Sequence, residues 1–165
     1  MNVYFDHMAN TPIDPRVASA MLPHLKETFG NPLNLHDFGA KTAQAIEEAR
    51  RKTAELIGAA PSEIIFTSCG SESNNFAIKG IARALGKKGR HIITSAIEHF
   101  SVHHPLKELE KEGFKLTYLP VDKFGLVDPQ AVSEAMIPET VLVTLTHASN
   151  EIGTIEPIAE IAKVV

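Results

Sequence analysis

The apolar positions fall into two regimes along the chain. Pro12 and Pro15 break the opening stretch, so residues 1–13 read as an N-terminal extended arm. Val17, Met21, Leu22, Leu25 and Phe29 then recur on one helical face. Asp14 is placed to cap a helix whose first residue, Pro15, loses nothing by lacking an N–H. Gly30-Asn31-Pro32 ends that period. A second, alanine-rich helix is predicted over 41–57, closed by Gly58 just beyond it.

From residue 64 onward the period changes. Short β-branched or apolar runs at 64–67, 91–94, 116–119 and 141–146 predict four strands. Helical patterns lie between and after them, at 72–85, 100–112, 129–136 and from Pro157 onward. Strands spaced by helices imply right-handed crossovers and a mostly parallel sheet. The fold class is therefore α/β, with three α/β/α layers. No internal repeat or low-complexity tract interrupts residues 14–165. A parallel sheet with an uncovered edge is unusual, and Val164-Val165 stands where a further strand is expected, so the chain reads as the first part of a larger fold.

Composition narrows the function classes. The 165 residues carry a formal net charge of −4, with 44% hydrophobic and 22% charged residues. That balance suits a soluble globular domain and provides no basic field for nucleic acid or an anionic membrane. No apolar run approaches the roughly 20 residues that span a bilayer. The start, Met1-Asn2-Val3-Tyr4-Phe5-Asp6, shows no secretory pattern, and the lone Cys69 excludes an internal disulfide. The expected setting is reducing and cytoplasmic.

Three polar loops carry the candidate chemistry. Thr67-Ser68-Cys69-Gly70-Ser71-Glu72-Ser73-Asn74-Asn75 joins a predicted strand to a helix. Small residues there let an anion approach, and the helix-start amides with the Ser71 hydroxyl can donate to phosphate oxygens. Neither a Walker loop nor a dinucleotide glycine pattern is present. The plainer reading is that Ser71 caps its helix while Gly70 eases the turn. Ile97-Glu98-His99 follows the next strand, at the rim where α/β sheets bind ligands. His99 there can stack on a flat ring or move protons near neutrality, or it is simply a surface histidine. A metal clasp by His99 and His103 lacks an identifiable third ligand, so no metal is expected. His147-Ala148-Ser149-Asn150-Glu151-Ile152-Gly153-Thr154 follows the last strand. Asn150 can donate to a ring hydroxyl or close an Asx-turn, and Gly153 permits a tight bend. Cys69 is expected to pack behind the first loop, because no base stands beside it to make it a nucleophile. Together, Gly70, His99 and Asn150 are expected to converge on one crevice.

Along essentially its whole length the chain resembles the cysteine desulfurases, pyridoxal 5'-phosphate enzymes of the class V aminotransferase superfamily. The likeness runs through Tyr4-Phe5-Asp6, Thr11-Pro12-Ile13-Asp14-Pro15-Arg16-Val17, Phe29-Gly30-Asn31-Pro32 with His36 and Gly39, and Glu63-Ile64-Ile65-Phe66-Thr67-Ser68. It continues through Gly70-Ser71-Glu72, Asn74-Asn75, Ile92-Ile93-Thr94, Glu98-His99, Leu119-Pro120-Val121-Asp122, Gly125-Leu126-Val127-Asp128 and Asn150-Glu151-Ile152-Gly153-Thr154. The resemblance implies that residues 14–165 form the N-terminal part of a cofactor-binding large domain. It implies that Gly70 and Ser71 hold the cofactor phosphate, Ser71 replacing the usual threonine. His99 would stack on the pyridine ring and assist proton transfer, and Asn150 would bond the ring oxygen. It further implies removal of sulfur from L-cysteine, leaving alanine and an enzyme persulfide for iron–sulfur or thio-cofactor assembly, by a homodimer that serves a sulfur-acceptor scaffold. Two segments depart from the family pattern. Asp6-His7-Met8-Ala9-Asn10-Thr11 stands where Asp-Asn-Ala-Ala-Thr-Thr is usual, and Asn31-Pro32-Leu33-Asn34 replaces Asn-Pro-Ser-Ser. The family's Schiff-base lysine, its pyridine-pairing aspartate, its sulfur-accepting cysteine and its substrate-binding arginine find no match here. The chain is therefore expected to be inactive alone and completed by a C-terminal chain. The alternative is a non-catalytic remnant serving binding or dimerisation.

Overall fold

A computed structural model describes residues 1–165. The chain divides into two compact units, Met1–Phe66 and Thr67–Val165, each of which is described by itself.

In the first unit, helix α1 spans Pro15–Lys26. The Asp14 carboxylate caps it by accepting from the Arg16 amide at 2.8 Å, and the Arg16 guanidinium closes on the same group. The helix stops short of Gly30, because the Glu27 and Thr28 amides both fold back on the Pro23 carbonyl. Helix α2 spans Asp37–Ile57, starting earlier than its apolar period indicates. His36 supplies the missing signal: its Nδ1 accepts from the Gly39 amide at 3.2 Å, an unusual cap that composition does not advertise. Gly39 is buried so close to the Asn31 and Asn34 carbonyls that a Cβ has no room. Gly58 takes the left-handed conformation, φ 69°, and ends α2 as expected. Residues 64–67 are not the first strand. They carry no regular structure and pair with no neighbour, and Ile65 and Phe66 are exposed. Their β-branched character fits a pleated surface, yet a strand exists only where a ladder receives it. Ile64 instead accepts from the Arg50 guanidinium, which also lies over the Phe66 ring at 5.1 Å.

The second unit is a three-layer sandwich. Strands β1 (His91–Ser95), β2 (Lys115–Leu119) and β3 (Thr140–Thr144) form a wholly parallel sheet in the order β2-β1-β3. Helices α3 (Gly70–Leu85), α4 (Phe100–Lys111), α5 (Pro129–Ala135) and α6 (Ile158–Ile161) complete it. The central strand β1 is buried throughout and sends successive side chains to opposite faces. Ile92 joins Ile78 and Ala82 of α3 with Val102, Leu106 and Leu109 of α4. Ile93 joins Val132 of α5 and Ile161 of α6 on the other side. Three strands therefore replace the four expected, and the last helix is a single turn, with residues 162–164 in turns. The α/β class and the parallel direction stand. Because every strand runs the same way, the loops after β1 and β3 emerge at one end of the sheet.

Candidate functional site

At that end lies a cavity of about 520 Å³, within the usual size of a small-molecule site. Cys69, Gly70, Ser71 and Asn74 line it from the start of α3. Glu98, His99, Ser101 and Val102 line it from the start of α4, and residues 144–147 from the end of β3. Two of the three predicted loops thus meet through their named residues. The third arrives through His147, while Asn150 lies outside the lining.

The first loop is built around a helix N-terminus. Cys69, not Ser71, occupies the N-cap of α3. Ser71 lies inside the helix as its second residue, so its hydroxyl has no capping duty there. The Glu72 carboxylate instead reaches back to the Ser68 amide at 2.5 Å and to its hydroxyl at 2.7 Å. Those two donors hold Glu72 below the ordinary carboxylate range, the Ser68 amide first. Cys69 is exposed on the cavity lip, not packed behind the loop, because its backbone is extended as the chain enters α3. The Glu72 amide, followed by the Ser68 hydroxyl, holds its thiol below the usual value. A Cβ built on Gly70 would meet no protein atom within 4 Å, so this glycine answers no packing need within the chain.

The second loop is held by a carboxylate that sequence patterns pass over. Glu98 is 6% exposed and accepts from the Ser95 hydroxyl at 2.7 Å, the Thr146 amide at 2.9 Å and the Thr146 hydroxyl at 2.6 Å. It therefore ties the end of β1 to the residues after β3 and fixes one wall of the cavity. His99 follows directly as the N-cap of α4, its Nδ1 accepting from the Ser101 amide at 3.1 Å. His103, one turn on, stacks against Tyr118 with ring centres 5.9 Å apart. No group of three or more histidine, cysteine or acidic side chains is arranged to hold a metal.

The third loop turns on Ser149, whose hydroxyl accepts from the Glu151 and Ile152 amides at 3.3 Å each. Ser149 thus braces the turn that carries Asn150. Gly153 takes φ 76°, the bend expected of it.

Helix-start amides, small residues and a histidine stand together at the carboxyl end of a parallel sheet, the place where α/β folds commonly bind ligands. Residues 3–165 match the aminotransferase class-V family, and the chain belongs to that family. Within it, the chain is similar to cysteine desulfurases. It is 57% identical over 162 residues to cysteine desulfurase IscS of Dictyoglomus turgidum, covering 98% of this chain and 41% of that protein. It is 48% identical to cysteine desulfurase IscS 1 of Archaeoglobus fulgidus, covering 98% and 42%. The chain thus spans about two fifths of the length of these relatives. Among solved structures, a NifS-like protein superposes with a TM-score of 0.96 at 41% identity, covering all of this chain and 45% of that one. The structure of SspA in complex with cysteine gives 0.92 at 44% identity, covering 98% and 46%.

Proposed function

We propose that this chain supplies the phosphate- and ring-facing half of a pyridoxal 5'-phosphate site in a cysteine desulfurase whose remaining segment completes the enzyme. The observation that carries this reading is the cavity shared by the amide-rich start of α3 and His99. The site fits the cofactor by its donor set and by the space left at Gly70. The amides that open α3 would receive the phosphate, since the first N–H groups of a 16-residue helix have no intrahelical acceptor and lie at its positive end. Ser71 would add a hydroxyl to the same anion, and Gly70 leaves room for it. His99 would lie against the ring, and Asn150 would approach the ring oxygen from the loop after β3. Bound there, pyridoxal phosphate would supply the electron sink that loosens bonds at the α-carbon of an amino-acid substrate.

The substrate is L-cysteine on this reading, and the products are alanine and a persulfide passed to a scaffold for iron–sulfur or thio-cofactor assembly. Catalysis would need the lysine, aspartate, cysteine and arginine of the completing segment. The setting is cytoplasmic and the assembly a homo-oligomer. No helix is long and apolar enough to cross a membrane.

The test is a chimera joining this chain to the C-terminal part of the Dictyoglomus turgidum relative. Purified with pyridoxal phosphate, it is expected to show a borohydride-trappable chromophore and to release alanine from L-cysteine. A soluble, folded chimera that binds the cofactor without releasing alanine would remove the desulfurase assignment. One that leaves the 70–72 amides unmoved by the cofactor would remove the site.

A further inference from the structure

The start of α4 is wired to the start of α3 by side chains that none of the roles above employs. His99 Nδ1 receives two contacts from one residue, the Ser101 amide at 3.1 Å and the Ser101 hydroxyl at 2.8 Å. A backbone amide can only donate, so Nδ1 must present its lone pair. The Ser101 oxygen in turn accepts from the Asn74 side-chain amide at 2.8 Å. Because Nδ1 is an acceptor, the hydroxyl directs its own proton at it. Asn74 lies on α3 three residues beyond Ser71, and all four side chains line the same cavity.

We propose that Ser101, oriented by Asn74, fixes the neutral His99 ring as the Nε2–H tautomer, making Asn74 and Ser101 positioning residues of the site. The consequence for chemistry is directional. A ring whose Nδ1 is spent on the helix cap and on Ser101 meets the cavity with a donor at Nε2, not with an acceptor. The wiring also couples the anion cradle to the histidine. A shift of α3 on ligand binding moves Asn74, and through Ser101 it reorients the imidazole. The importance of this for catalysis rests on the function proposed above, whereas the tautomer rests on the chain's own geometry.

The experiment is long-range proton–nitrogen NMR of the histidine rings, on the whole chain, at a pH where His99 is neutral and without pyridoxal phosphate. Nδ1 of His99 is expected as a hydrogen-bonded, unprotonated nitrogen and Nε2 as the protonated one. Asn74→Ala and Ser101→Ala should each move the Nδ1 resonance toward that of an unbonded nitrogen, with Ser101→Thr restoring it. In the Ser101→Ala background, Asn74→Ala should have no further effect, since the relay is already cut. A proton on Nδ1 in the wild-type chain overturns the proposal even if a variant fails to fold. So does a folded Asn74→Ala chain whose Nδ1 does not move. Adding pyridoxal phosphate afterwards separates the two ideas: an unperturbed His99 ring counts against the cofactor site while leaving the tautomer result intact.

Discussion

At the scale of single residues, the cleft separates side chains that stabilise from those left free for a ligand. Glu98 is fully spent, because three donors from Ser95 and Thr146 satisfy a carboxylate that burial would otherwise penalise. Ser71 is the opposite case. Cys69 holds the N-cap, so the serine hydroxyl owes nothing to helix closure there. Ser71→Ala is accordingly expected to leave the thermal midpoint of the chain unchanged. In the completed enzyme it should weaken pyridoxal phosphate by about 1.5–3 kcal/mol, roughly 10- to 150-fold in the dissociation constant, since one hydrogen bond to a charged group is lost. An equilibrium titration followed by absorbance measures this; unaltered affinity would assign Ser71 to the helix alone. The same distinction explains what was legible here. Gly70, Ser71 and His99 announce themselves as small or titratable residues at predicted strand-to-helix junctions. Glu98, Ser101 and Asn74 are ordinary polar residues whose roles come from pairing across the fold: Ser95 and Thr146 are 51 positions apart (146 − 95), and Ser101 bonds a residue 27 positions earlier.

At the scale of elements, β1 organises the second unit, and His91 shows how. Its ring is 4% exposed and spans all three strands, Nδ1 contacting the Thr140 hydroxyl of β3 and Nε2 the Thr117 hydroxyl of β2, each at 2.8 Å. Burial, opposed by Glu139, holds its pKa below the ordinary value. The unfolded chain then binds the proton more readily than the folded one. Stability from this group is complete above about pH 6.5 and declines as pH falls from there toward the folded-state pKa. Urea unfolding across that window is expected to show this slope, and His91→Gln should flatten it; an unchanged slope would place the pH response in another histidine. Elements were readable where local signals and tertiary structure agreed, as at the Asp14 cap, the Gly58 stop and the apolar run at 91–94. They were not readable where tertiary structure decided. Residues 64–67 have strand composition but no ladder to enter, and α2 begins early because His36 happens to reach the Gly39 amide.

At the scale of the whole molecule, the apolar period that predicts α1 is real, but its face is open. Val17, Met21 and Leu22 are about half exposed, and Leu25 and Phe29 are each 71% exposed. Fully burying one such side chain gains roughly 1.5–3 kcal/mol, so the four on α1 (Val17, Met21, Leu22 and Leu25) form a patch that water disfavours strongly. Two occupants suit it, a second copy of the chain or the proposed completing segment, and their forecasts differ at the chimera. If copies pair through α1, sedimentation should show a concentration-dependent dimer for both the chain and the chimera. The double variant Met21→Glu, Leu25→Glu should then be monomeric in both with unchanged helicity, since glutamate keeps the helix propensity. If the completing segment covers the face, the chain alone should associate, and the same variant should lose that association. The chimera should then keep its mass when the two glutamates are introduced but unfold at lower denaturant, because the cost falls on an internal contact. A chain that stays monomeric at all concentrations, with no change on substitution, would show that the exposed face drives neither event.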